Sequence, residues 1–267
     1  MTASPSLFFL LIAVLSVPFY LLGAAGGRLA GLPILPASAL MTFTPMIAAL
    51  ILVYRQRGAV GAAALLGRVF ELRRHRGMGW YLTALLFMPV ICVLEFGALR
   101  LIGREVPLPQ IAPSEAFLLF SAFFIGAIGE EVGWQGYAFP ALRTRMSALA
   151  AAVVLGTVWA MWHVIPFVQL SRSTDWIFWH SLSAVALRII IVWLFENTGR
   201  STLVAVLFHT MLNVSWALFP NSGSHYDPFV TFVILSLVVG AIIARWGPST
   251  LTRFGPQATN SSKKRPT

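Results

Sequence analysis

Apolar residues recur along this chain in runs of about twenty, parted by short polar or glycine- and proline-rich segments. A helix needs about 20 apolar residues to cross the hydrocarbon layer of a bilayer. The runs predict spans over 7–25, 38–54, 80–102, from 115 to a break at 133–136, and then 148–167, 176–196, 200–219 and 228–246. The expected fold class is all-α: a polytopic membrane helical bundle of about eight transmembrane helices. The first run lacks a charged leading segment and exceeds the apolar stretch of a secretory signal, so it counts as a span. Between the second and third spans, residues 59–72 could form a short interfacial helix on anionic headgroups. The expected organisation is a set of N-terminal spans with a basic loop over 1–114, a core bearing the chemistry over 115–220, a last span over 221–247, and a polar tail over 248–267 that should be disordered.

Composition agrees: of the 267 residues, 58% are apolar and 10% charged, well below the share of about a quarter in soluble domains. The net charge of +10 does not indicate a nucleic-acid partner, because the basic residues cluster in short segments between apolar runs. That is the positive-inside pattern. With the 55–76 loop inside, 14 of the 19 Lys and Arg residues fall in cytoplasmic segments, four outside, and Arg188 within a span. Both termini are then cytoplasmic, and a bacterial inner membrane is the expected location, with membrane lipids as contacts. Cys92 is alone, so neither a disulfide framework nor a cysteine metal site is available.

Charge at membrane depth is expensive, which singles out Glu130 and Glu131 within the fourth run. His163, Arg188, His209 and Asn213 are polar candidates at comparable depth. At about 1.5 Å per helical residue, Glu130 and His209 lie roughly 14 Å from the cytoplasmic ends of their spans, Asn213 about 20 Å and His163 roughly 22 Å. His209 and Asn213 are four residues apart and share a helix face, as do Trp159 and His163. Adjacent Glu130 and Glu131 cannot both point one way. Plain structural roles are available for several of these: hydrogen-bonded helix contacts for the histidines, packing and interface belts for the tryptophans, and a solvated boundary position for His180 and His225.

Three motifs together carry a resemblance: Gly-Glu-Glu-Val-Gly-Trp-Gln-Gly-Tyr at 129–137, Val-Trp-Ala-Met-Trp-His ending at His163, and Leu-Phe-His-Thr-Met-Leu-Asn over 207–213. In order and spacing, over roughly 115–220, they resemble the CPBP intramembrane protease family, which includes type II CAAX prenyl endopeptidases and relatives tied to bacteriocin immunity. The resemblance implies that Glu130 with His163 activates a water, and that His209 and Asn213 hold the oxyanion of a tetrahedral intermediate. Donors aimed at a developing oxyanion can contribute about 3–4 kcal/mol each. Glu131, Gln135, Trp159 and Arg188 would support them. The expected activity is an endopeptidase with a cavity open to the cytoplasm, acting near the C-terminus of a peptide or a membrane-anchored protein.

Two positions depart from the family pattern. Trp159 stands where Phe is usual, a swap compatible with packing. Gln135 stands where the first motif has Arg, so a cation for Glu131 must come from elsewhere; Arg188 is the expected source, with Glu95 competing for it. Gln135 also favours an alternative reading, a non-catalytic immunity or accessory protein that binds a peptide or partner. A transporter ranks below both, because no inverted repeat is visible. Glu130, His163 and His209 could together hold zinc with an open water position. No His-Glu-x-x-His spacing is present, and the reading leans against a tightly bound metal.

Overall fold

The computed structural model describes residues 4–26, 28–29, 32–72 and 77–253. Among them, seven helices are long and apolar enough to cross a membrane, and an eighth of 17 residues runs with them. In chain order these are α1 (Pro5–Ala24), α2 (Thr44–Gly67), α3 (Gly79–Leu101), α4 (Pro113–Gly133), the short α5 (Phe139–Leu142), α6 (Ala148–Gln169), α7 (Thr174–Asn197), α8 (Thr202–Leu218) and α9 (Pro228–Trp246). The all-α polytopic bundle is as expected. The shortest traversing helix, α8, is the one packed against α3, α4 and α7, so its length answers to protein neighbours.

Local signals account for the helix starts. Ser147, Ser173 and Ser201 each accept a hydrogen bond from the backbone N–H three residues on, opening α6, α7 and α8. Asp227 accepts from Phe229 and Val230 ahead of α9, with Pro228 at the first helical position. A left-handed Gly58 (φ 65°) breaks α2, so the membrane-length part ends where the sequence places the end of the second span. The rest of α2 and a following turn (Arg68–Phe70) form the short helix expected over 59–72; Arg73, Arg74 and Arg76 lie outside the described residues.

Three details differ from the sequence reading. The fourth run does not stop at Gly133: a π-turn (Trp134–Ala138) and α5 carry the helical path to Leu142. The connection before α2 holds a small antiparallel pair, β1 (Arg28–Leu29) with β2 (Leu32–Pro36). Residues 248–251 are not a free tail, because Ala148 and Leu149 donate to the Ser249 and Pro248 carbonyls and Asn197 to that of Leu251, which is fully buried. Residues 254–267 lie outside the described residues.

At one end of the bundle lie the α2–α3, α5–α6 and α7–α8 connections, with both chain termini leading from it; this is the basic end. The α3–α4, α6–α7 and α8–α9 connections lie at the other. There the buried Glu95 on α3 accepts from the Asp227 N–H (2.8 Å) and the Thr231 hydroxyl (2.5 Å), fastening the start of α9. Glu95→Ala strands both donors, and each loss costs about 1–3 kcal/mol. A fall in the thermal unfolding temperature of the detergent-solubilised protein checks this expectation.

Candidate active site

The two adjacent glutamates of α4 divide their duties. Glu131 is fully buried and faces α7, where Arg188 Nη1 donates to both its oxygens at 2.9 Å. It also accepts from His209 Nδ1 on α8 at 2.8 Å. Glu130 faces the other way and lines a cavity of about 310 Å³. Three donors hold its carboxylate: the indole N–H groups of Trp159 (2.6 Å) and Trp134 (3.3 Å), and the Thr42 hydroxyl (3.1 Å). The other ring nitrogen of His209, Nε2, stands 3.9 Å from Glu130 Oε1.

Trp159, His163, His209 and Asn213 line the same cavity as Glu130. His163 sits 2.8 Å, through Nδ1, from the Trp159 carbonyl. A carbonyl only accepts, so Nδ1 carries the proton and Nε2 of the neutral ring is left as an acceptor. One turn beyond His209, the Asn213 amide has no hydrogen-bond partner among the described residues. Most of the remaining wall is apolar, including Met88, Phe123, Leu187 and Leu212. The polar groups thus form one patch at the deep end of an apolar chamber.

Arg188 is fully buried and lies over the Trp159 ring at 4.4 Å. Gly156, one turn before Trp159, permits this: a Cβ there would fall 2.9 Å from Val185 Cα and 3.0 Å from Arg188 Cβ. Gln135 is fully buried, and neither its side-chain oxygen nor its nitrogen has a partner among the described residues. The cation on Glu131 therefore comes from α7. Glu95 does not compete for it, being occupied at the start of α9.

Two side chains take parts the sequence did not assign. Trp159 is more than packing: its indole N–H makes the shortest contact to Glu130, which a Phe could not. Only the residue type at that position hinted at it. His180, expected at a solvated boundary, lines the cavity, stacked on Trp176 (4.5 Å between ring centres) and edge-on to Phe167 (4.7 Å). Aromatic partners from three segments cover it, which position along α7 does not foretell. No group of three His, Cys, Asp or Glu side chains among the described residues is placed to hold a metal ion. Engaged Nδ1 atoms leave both Nε2 nitrogens available, as in zinc-ligating histidines, but Glu130 is already held by three donors and is not grouped with them as a ligand set.

The chamber extends from Glu130 toward the end opposite the basic loops. Its far residues include Leu35, Pro36, Leu170 and Tyr226, all near connections at that end. None comes from the basic connections, so the expected opening on that side is overturned.

Comparison with known proteins agrees with the motifs. The model of the family described as type II CAAX prenyl endopeptidase Rce1-like matches residues 112–215, which hold all three. The protein named CAAX prenyl protease 2 from Methanococcus maripaludis is 26% identical over 135 residues, 48% of this chain. The aligned part spans about half (49%) of that relative's length. The resemblance read from the sequence is thereby borne out, over the segment that holds the polar patch.

Arg188→Gln leaves the Glu131 carboxylate buried without a cation, a loss of about 3–5 kcal/mol. Adding Gln135→Arg should recover part of the unfolding temperature and of any activity. Equal loss in the single and double variants would show that the cation must come from α7. Trp159→Phe keeps the ring and removes the donor to Glu130; at about 1.5–3 kcal/mol for a hydrogen bond to a charged group, a tenfold to hundredfold drop in turnover is expected with the fold unchanged by circular dichroism.

Proposed function

We propose that this protein is an intramembrane endopeptidase of the CAAX type, hydrolysing a peptide bond near the C-terminus of a peptide or membrane-anchored protein. The observation that carries the reading is Glu130: a carboxylate aimed into an apolar chamber, held by three donors, with a histidine nitrogen 3.9 Å away. In this reading a water sits between Glu130 and His163. Glu130 takes a proton from it while His163 Nε2 accepts its second hydrogen. The water oxygen bonds to the scissile carbonyl carbon, whose oxygen becomes the oxyanion. Collapse breaks the carbon–nitrogen bond, and Glu130 delivers its proton to the departing amine.

Oxyanion stabilisation falls to Asn213 and His209. His209 Nδ1 faces the carboxylate of Glu131, so that nitrogen donates. For Nε2 to donate as well, the ring must carry both protons during turnover. Arg188 and Glu131 act through His209 as positioning residues. The alternative, a non-catalytic binding or immunity protein, drew on Gln135; with Arg188 on Glu131 that ground weakens.

Wild type and Glu130→Gln should be compared in lipid on a mixed peptide library, part of it bearing an isoprenoid cysteine at the C-terminus, with products read by mass spectrometry. Cleavage that vanishes in the variant is expected, and loss of at least a hundredfold fits removal of the base. A chelator should leave the wild-type rate unchanged. A folded wild type that cleaves nothing would move the reading to the binding alternative.

A further inference from the structure

The two ends of the bundle differ sharply in charge. Among the described residues, the basic end carries eight arginines: Arg55, Arg57 and Arg68 around α2, Arg143 and Arg145 after α5, Arg200 before α8, and Arg245 with Arg253 at the end of α9. Only Glu71 and Glu196 oppose them, and Glu196 is already taken by Arg143 and Arg200. The opposite end carries four arginines (28, 100, 104 and 172) against the carboxylates Glu105, Glu115, Asp175 and Asp227, with the buried Glu95 beneath them, and so has no positive excess. Short connections rich in Lys and Arg stay in the cytoplasm. The chamber holding Glu130 runs to the opposite end. A second cavity of about 320 Å³ also lies there, polar where the first is apolar, and the two share Tyr226 as a wall.

We propose that the chamber opens on the non-cytoplasmic face of the membrane and that its substrate is a peptide segment displayed outside the cytoplasm. The orientation rests on charge and geometry alone; the substrate follows only if the peptidase reading above is correct. An extended segment entering at the non-cytoplasmic end would pass the polar second cavity, lined by Arg104, Glu105, Asp175, His225 and Asp227, before its bond reached Glu130. Its main chain would leave polar surroundings near Tyr226 and end in the apolar chamber, where Asn213 and His209 are the donors ahead of it. A cytoplasmic peptide would meet the positively charged connections, none of whose described residues lines the chamber.

Orientation is read by single-cysteine labelling in cells producing the full chain with Cys92→Ala. Ser224→Cys places a thiol between α8 and α9, and Thr144→Cys places one between α5 and α6; both positions are exposed. A membrane-impermeant maleimide should label the 224 variant in intact cells and the 144 variant only after permeabilisation. The reverse pattern, or equal labelling of both in intact cells, overturns the proposal. A fluorescent protein that matures only in the cytoplasm, fused after Thr267, reads the same orientation without touching the bundle; a dark fusion at normal protein levels also overturns it. A third arm gives an impermeant reporter peptide, selected from the library products, to intact spheroplasts. Cleavage from outside by wild type and none by Glu130→Gln supports the substrate assignment, whereas cleavage only after permeabilisation refutes it. Labelling needs no catalysis, so a failed orientation leaves the peptidase reading standing, and absent cleavage leaves the orientation standing.

Discussion

The fold is built around one buried ion pair. Glu131 and Arg188 are both fully buried, on helices that meet nowhere else in so polar a contact. Taking two charges out of water costs several kcal/mol each, recovered only when geometry is good and further hydrogen bonds fill the remaining positions. Here both oxygens of Glu131 meet Arg188, one of them also meets His209, and the guanidinium lies over Trp159. Those contacts join α4, α6 and α8, the helices that carry the three motifs, to α7. A shift of any one along its axis would uncover a charge, so the pair fixes their register and with it the cavity floor.

The same constraint explains why two adjacent glutamates are present where one base would serve. Side chains one residue apart on a helix differ by about 100° in direction. Glu131 is turned into the protein, where it needs a cation; Glu130 is turned toward the chamber, where the proposed chemistry asks it to exchange a proton. Neutral donors suit the second role better than a cation does. Trp159, Trp134 and Thr42 hold Glu130 through neutral donors, none of which pairs with it as Arg188 pairs with Glu131. Trp159 touches both sides of this arrangement, giving its N–H to Glu130 and its face to Arg188.

Much of this was legible in the sequence because membrane depth makes polar residues conspicuous. The spans follow from apolar run length, and Glu130, Glu131, His163, Arg188, His209 and Asn213 stand out against them. Arg188 could be matched to Glu131 because Gln135 left a charge to be answered. What stayed hidden depends on direction rather than identity. That Trp159 turns its N–H inward, that Glu95 reaches the start of α9, and that His180 is covered by Trp176 and Phe167 all require helix rotations that an almost uniformly apolar α7, or an α3 with one acid, does not encode. The π-turn after Gly133 shows in the sequence only as a break at 133–136; that the helical path runs on through Trp134–Ala138 to Leu142 does not. The sequence also located the basic loops correctly as one end, yet gave no sign of which end the chamber meets.

Moving the cation from α4 to α7 changes what the site depends on. An Arg one turn after Glu131 would travel with it on a single helix, and the pair would survive relative sliding of the helices. With Arg188 as the source, the pair forms only when α7 sits at one height against α4, and Gly156 must stay small for α6 to close over it. This fits the burial pattern of α7, whose residues from Ser183 to Phe195 are nearly all enclosed, more than in any other of the seven membrane-length helices. Gln135, one turn after Glu131, has neither polar atom partnered among the described residues. The site has exchanged a local contact for a global one, and the stability of the whole bundle now stands behind the position of His209.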